Sequence, residues 1–257
     1  MAESSSSKPT SDPILTTEGP KPQLLPHQQH ALFDKIAILC GPINSLLFFL
    51  ILPMSLNLPP VSPSATPEET AYHYVYNEKG LKGGIPIMLM TGITWPIFCA
   101  GVNRQLAKIP GVSRTALWAQ LGAGCLAALS MMLPAIFFSA VIYRLDRDPI
   151  LTQLLSDLAW LVYMMSFPPF VAQDFMISYA VLSDRRPRPL IPRWAAWAMS
   201  GLAITVYPAI AVHCVKSGPF AWNGALSFWV GMAGGSVQLG ILVFFLWKAH
   251  AEPDPEE

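Results

Sequence analysis

Two carboxylates stand out because of where they fall. Asp157 and Asp174 lie within one apolar stretch, Leu154–Ser183, and an ionisable side chain at membrane depth costs about 2.5–3.5 kcal/mol on insertion scales. Such a residue invites a chemical role. Asp157 sits one turn into the stretch, near a loop reading RLDRDP. Two readings stand for it: an acid whose titration is tuned by Arg144 and Arg147, or an interfacial ion pair with one of them. Asp174 follows Gln173 about 15 Å deep along a helix, where hydrocarbon favours the neutral acid. It can be a general acid, or a neutral group hydrogen-bonded to a neighbouring helix. The two are 17 residues apart, about 25 Å along a straight helix. They cannot serve one substrate atom unless the helix is broken.

Pro168-Pro169, at the middle of this stretch, supply such a break. Each ring removes an amide donor and crowds the carbonyl four residues earlier, here Met164 and Met165. A carbonyl freed at that depth needs a partner or lines a cavity. A pocket near the kink is one expectation; a bend used only for packing is the other. Candidate lining groups are Gln153, Trp160, Tyr163 and Gln173 on the same stretch, with Trp95, Trp222 and Asn223 from elsewhere. Asn44, Thr91, Thr94, Asn103, Gln120, Tyr207, His213 and Gln238 are further polar groups within apolar stretches. Each alone more often makes an interhelical hydrogen bond than a site.

The elements that must position these groups follow from composition. Charged residues are 12% of the 257-residue chain and 53% are hydrophobic; the mean hydropathy is +0.42. A soluble protein of this size needs more polar surface. Lysine plus arginine and aspartate plus glutamate are each 16, so no basic field for nucleic acid exists. Six runs are long enough to cross a bilayer: 36–56, 85–103, 116–143, 154–183, 194–215 and 225–247. Asp157 and Asp174 are the only formal charges inside them. The expected fold is therefore all-α, a polytopic membrane bundle of about six helices over 33–248. A Ser/Pro-rich tail (1–32) and an acidic tail (249–257) flank it, both expected to be disordered. Placing both termini in the cytosol puts eleven lysines and arginines inside and five outside, as the positive-inside rule favours.

Between the first two runs, Thr66-Pro67-Glu68-Glu69 reads as the capped start of a short interfacial helix. It carries Tyr72, His73, Tyr74 and Tyr76, and Gly80 is its expected stop. The turn Asp184–Arg193 holds four arginines and three prolines. It sets topology, and it can also meet anionic headgroups. Cys40, Cys99, Cys125 and Cys214 show no metal-ligand spacing and read as small buried apolar residues.

The strings RLDRDPILTQLLSDLAW, SFPPFVAQD, LSDRRPRPLIPRW and KSGPFAWNG resemble a family of small multi-pass proteins. Its fungal branch is similar to the membrane-bound terpene cyclase of ascofuranone (meroterpenoid) biosynthesis. The resemblance spans about Phe33–Trp247 and carries no catalytic motif that transfers residue by residue. It implies an isomerase of secondary metabolism acting on an oily, epoxide-bearing prenyl chain. Protonation of the epoxide oxygen makes carbon electrophilic, and an internal hydroxyl or alkene closes the ring. It further implies a hydrophobic small-molecule substrate, the lipid bilayer as partner, no nucleic acid, no metal and no cofactor. In a eukaryotic cell the expected home is the endoplasmic reticulum membrane. Asp157 and Asp174 are then the candidate acids, Asp157 first because the adjacent loops offer it polar partners. A transporter using Asp174 as a proton or ion site, and a non-catalytic membrane scaffold, are the alternatives.

Overall fold

The computed structural model describes residues 27–250, except the side chains at 27–31, 49 and 52. The two expected tails lie largely outside the described residues, but helix α1 already begins at His27, inside the first of them. Nine α-helices are present among the described residues: α1 His27–Met54, α2 Pro67–Tyr76, α3 Glu78–Leu106, α4 Arg114–Ala127, α5 Leu129–Tyr143, α6 Pro149–Met165, α7 Pro168–Ser183, α8 Arg193–Ala203 and α9 Gly231–His250. A 3₁₀ segment, Ile204–His213, extends α8, and a π-helical segment, Ala225–Val230, precedes α9. No strand occurs among the described residues.

Five stretches among the described residues have the length and apolar composition to cross a membrane: Glu78–Leu106, Arg114–Tyr143, Pro149–Ser183, Arg193–His213 and Ala225–His250. Each contains one expected run or nearly all of it. The remaining run, 36–56, falls largely in the 28-residue α1, which is not among the five; the first to sixth spans named below are the six runs in chain order. The molecule is a helical membrane bundle. Large apolar side chains stand exposed on its outer surface, among them Leu46, Ile93, Leu126 and Phe244. Water would oppose that display, and lipid favours it.

Around the bundle each span packs on the next and the last returns to the first. Helix α1 packs on α3, α3 on α4 and α5, α4–α5 on α6–α7, α7 on α8, α8 on α9, and α9 on α1. Antiparallel neighbours come close where side chains are small. A Cβ at Gly101 would stand 2.9 Å from that of Ala37, and one at Gly80 would stand 2.6 Å from the Met54 carbonyl oxygen. This contact explains why Gly80 does not end the short helix as the sequence suggests. α2 stops at Tyr76, α3 starts at Glu78, and Gly80 lies inside α3 because only glycine lets it meet the end of α1 there.

The start of α2 is as expected. Thr66 Oγ1 accepts from the Glu69 amide at 3.2 Å while a Glu69 carboxylate oxygen accepts from the Thr66 amide at 2.8 Å, satisfying two otherwise unpaired helix-end donors. Its tyrosines split by face. Tyr72 and Tyr76 are exposed and stacked, 5.9 Å between centroids. Tyr74 is fully buried and bonds Ser156 at 2.8 Å. The cysteines split as well: Cys40 and Cys99 are buried, while Cys125 and Cys214 are exposed.

The buried apolar residues form two clusters. One joins Ile38, Phe98, Leu106, Ile177, Met199 and Leu246, at the end where α1 begins and α9 finishes; we call this the terminal half. The other joins Tyr74, Leu81, Phe138, Trp160, Trp222 and Phe228, beneath α2; we call this the cap half.

Candidate functional site

Several helices lose α-helical regularity at the same level. The fourth span breaks at Ser166-Phe167, between α6 and α7, where Pro168 and Pro169 follow. The fifth turns 3₁₀ at Ile204 and contains Pro208. The sixth is π-helical before Gly231. The third is interrupted at Ala128. Proline removes the amide that would have bonded one turn back, and π turns insert a residue into the ladder.

Hydroxyls take up much of the backbone disturbance. Ser130 Oγ, from the third span, donates to the Ser166 carbonyl at 2.5 Å, and Ser166 Oγ donates to Val162 at 2.5 Å. Ser227 Oγ reaches the carbonyls of Pro208, 3.1 Å, and Phe220, 3.0 Å. Thr205 Oγ1 donates to Leu202 at 2.6 Å, and Ser236 Oγ donates to Met232. Irregular backbone survives at membrane depth only with such partners.

Between the two apolar clusters, at this level, lies a cavity of about 220 Å³. That is far more than the space needed for a single water. All six runs contribute to its wall, including Asn44 and Phe48 of α1, Trp95 of α3, Met131 of α5, Tyr163, Phe167 and Phe170 around the break, Val206 of the 3₁₀ segment, and Gly235 and Gln238 of α9. The wall is mostly apolar and aromatic. Among the described residues Asp174 is its single carboxylate, and no lysine, arginine or histidine lines it. Asp174 is buried, and Gln238 of α9 shares the cavity wall with it.

Two aromatic donors complete the wall. Tyr163 stacks on Phe48, 6.2 Å between centroids, and meets the edge of Trp160 at 5.8 Å. Trp95 packs edge-on to Phe170 at 5.2 Å. The Tyr163 hydroxyl and the Trp95 indole nitrogen are buried without a hydrogen-bond partner among the described residues. Nearby, Thr94 Oγ1 donates to Asn44 Oδ1 at 2.9 Å, tying α3 to α1.

The structure thus brings together Asp174, Tyr163 and Trp95 from the sequence candidates, with Asn44 and Gln238 from the wider polar set. It places the others elsewhere. Asp157 is partly buried on the cap side, beside Tyr74, and does not line the cavity. The cation whose field reaches it is Lys216. Arg147 instead donates to the Ala140 carbonyl at 3.0 Å, and Arg144 lies over the Tyr143 ring at 6.0 Å.

Gln153 donates to the Ala65 carbonyl at 2.8 Å and Trp222 to Val61 at 2.8 Å, so both hold the cap loop. Asn223 sits in the turn after Trp222. Trp160 is fully buried in the cap-half cluster. Gln173 is buried with its amide 3.1 Å from Cys99 Sγ. His213 is exposed beside Cys214 on the cap side.

The lining residues that sequence reasoning did not single out include Phe48, Met131, Phe167, Phe170 and Val206. Nothing in their spacing separates a cavity-facing apolar residue from a lipid-facing one. Among the described residues no cluster of His, Cys, Asp or Glu has a metal-binding arrangement. No protein-family model, curated protein or solved structure matches this chain.

Proposed function

We propose that this protein is a membrane-embedded terpene cyclase of the meroterpenoid type, in which the cavity takes an oily prenyl chain bearing an epoxide and Asp174 starts ring closure. The observation that carries the reading is one carboxyl in the wall of a mostly apolar cavity lined by all six runs, with no lysine, arginine or histidine beside it among the described residues. Such a place folds a hydrophobic chain, keeps water from an electrophilic carbon, and offers one proton donor at a defined point.

The chemistry closes without a net reactant. The Asp174 carboxyl gives its proton to the oxirane oxygen as that carbon–oxygen bond breaks. An internal hydroxyl or alkene of the same chain supplies the electron pair for the new ring bond. The proton it sheds returns to the Asp174 carboxylate, so the product is an isomer of the substrate. Gln238 orients the carboxyl. The aromatic faces of Phe48, Phe167, Phe170 and Trp95 stabilise positive charge developing on the chain. Asp157, at the cap, lies outside this scheme.

The test is an assay of membranes carrying the protein with an epoxidised farnesyl-phenol, measuring the ring-closed isomer. Wild type and Asp157→Asn are expected to form it, and Asp174→Asn to lose it by at least about 100-fold, the usual weight of a general acid. Full activity of Asp174→Asn overturns the reading. A wild type that forms no product but moves protons or solute across vesicles replaces it with the transport alternative.

A further inference from the structure

Charge is divided unequally between the two ends of the bundle. At the terminal end the described residues include nine cations, Lys35, Arg104, Lys108, Arg114, Arg185, Arg186, Arg188, Arg193 and Lys248, and two carboxylates, Asp34 and Asp184. At the cap end there are five cations and six carboxylates. Both terminal-end carboxylates are engaged. Asp34 lies 3.5 Å from Arg104. Asp184, whose side chain is wholly buried, takes Arg186 at 2.7–3.1 Å and the Leu190 amide at 2.9 Å.

Asp184 gives the turn between α7 and α8 a fixed shape. It also accepts from the Arg186 amide at 3.1 Å, so one carboxylate organises residues 184–190 from inside. Leu190 and Ile191 plug into the terminal-half cluster, and Pro187, Pro189 and Pro192 limit the backbone. Arg185, Arg188 and Arg193 are left exposed, with no ion-pair partner among the described residues. Trp194 and Trp197 follow at once, 60% and 67% exposed. Exposed tryptophans at a span end mark the headgroup boundary. The three free guanidiniums therefore stand at the depth of lipid phosphates, and guanidinium pairs with phosphate in a two-toothed geometry that an ammonium lacks.

We propose that the turn 184–193 is a binding site for the headgroup of an anionic phospholipid, held by Arg185, Arg188 and Arg193. Its occupant is lipid rather than an acidic protein, because the arginines emerge beside interfacial tryptophans and face the layer where phosphates lie. The proposal is independent of the cyclase reading, since the site is at the opposite end from the cap and apart from the cavity.

The test uses the full-length protein in nanodiscs of phosphatidylcholine doped with phosphatidylserine. Lipid retained by the purified protein is counted by native mass spectrometry. Wild type is expected to enrich phosphatidylserine over phosphatidylcholine. R185Q/R188Q should cut that enrichment by about fivefold for each arginine removed, and K79Q/K82Q, at the cap, should leave it unchanged. Asp184→Asn raises net charge yet should lower enrichment, because the turn loses its internal anchor. If Asp184→Asn fails to fold, the arginine pair decides alone. Equal loss in the cap variant, or enrichment unaffected by R185Q/R188Q, overturns the site. Wild type that fails to enrich phosphatidylserine also overturns it.

Discussion

The two halves of the bundle solve the same packing problem differently. In the terminal half, α-helices run without interruption through the cluster around Phe98 and Met199, and small residues set the spacing. A Cβ at Gly41 would meet the Phe98 ring at 2.6 Å, and one at Gly101 would meet Ala37 at 2.9 Å. Contacts this close leave no space. In the cap half the fifth and sixth spans become 3₁₀ and π-helical, large rings fill the core, and polar groups tie the loops down. The cavity lies where the two regimes meet. Regular helices close on one another through dispersion contacts. Irregular ones cannot keep a constant ridge-and-groove register and leave room that aromatic side chains only partly fill.

This contrast can be broken or sharpened experimentally. The largest effect is expected at the junction. Asp174→Asn should lower ring closure at least about 100-fold without lowering the thermal midpoint, whereas Asp157→Asn should stay within a few-fold, both read by product formation in membranes.

Next comes packing. Gly101→Val should destabilise the terminal half by about 1–3 kcal/mol, the usual cost of overpacking. Gly235→Ala should be neutral or stabilising by up to about 1 kcal/mol, because a Cβ there meets nothing within 4 Å and alanine suits a helix better. Thermal unfolding in detergent distinguishes them, and equal losses would remove the distinction between tight and open regions.

At the cap, Thr66→Ala should cost about 1 kcal/mol by leaving the first turn of α2 uncapped. The readout is faster proteolysis of the 57–77 segment with the terminal half still protected.

The smallest effect is a pH dependence of the same cap. His73 joins Asn57 at 2.8 Å and Asn77 at 3.3 Å, and burial holds its imidazole below the ordinary value near 6.5. The unfolded state then takes up the proton first as pH falls. Stability contributed by neutral His73 is complete above the ordinary value and is lost as pH drops below it toward the folded value. The protection factors of the α2 amides, exchange rates corrected for their intrinsic pH dependence, should therefore fall on acidification below about 6.5, and His73→Gln should flatten that response.

Asp184 carries the opposite sign. Burial works against its charged form, but Arg186 and the Leu190 and Arg186 amides outweigh it and hold the carboxyl below the usual range. Its contribution is complete above that range and disappears only as pH falls through the lower, folded-state value.

What the chain's residues determined alone is what depends on composition and local chemistry. Placing nearly all charge outside six apolar runs dictates a membrane bundle, because hydrocarbon penalises ions wherever the helices pack. Thr66-Pro67-Glu68-Glu69 starts α2 because a capping box closes within one turn. Pro168-Pro169 break the fourth span because a missing amide is a covalent fact. The tertiary structure decided which of the two aspartates in the fourth span meets a cavity. Asp157 and Asp174 look alike in sequence, and the pattern offered Asp157 the richer surroundings. Yet the partners it could reach by chain proximity turn elsewhere, Arg144 to the Tyr143 ring and Arg147 to the Ala140 carbonyl. Asp174 instead shares a cavity wall with Gln238, from a helix more than sixty residues away. Long-range meetings of that kind depend on how the six apolar runs close on one another, which no single helix encodes. For the same reason Gly80 reads locally as a stop and acts as a contact. Its neighbour is the end of α1, brought there by packing rather than by sequence.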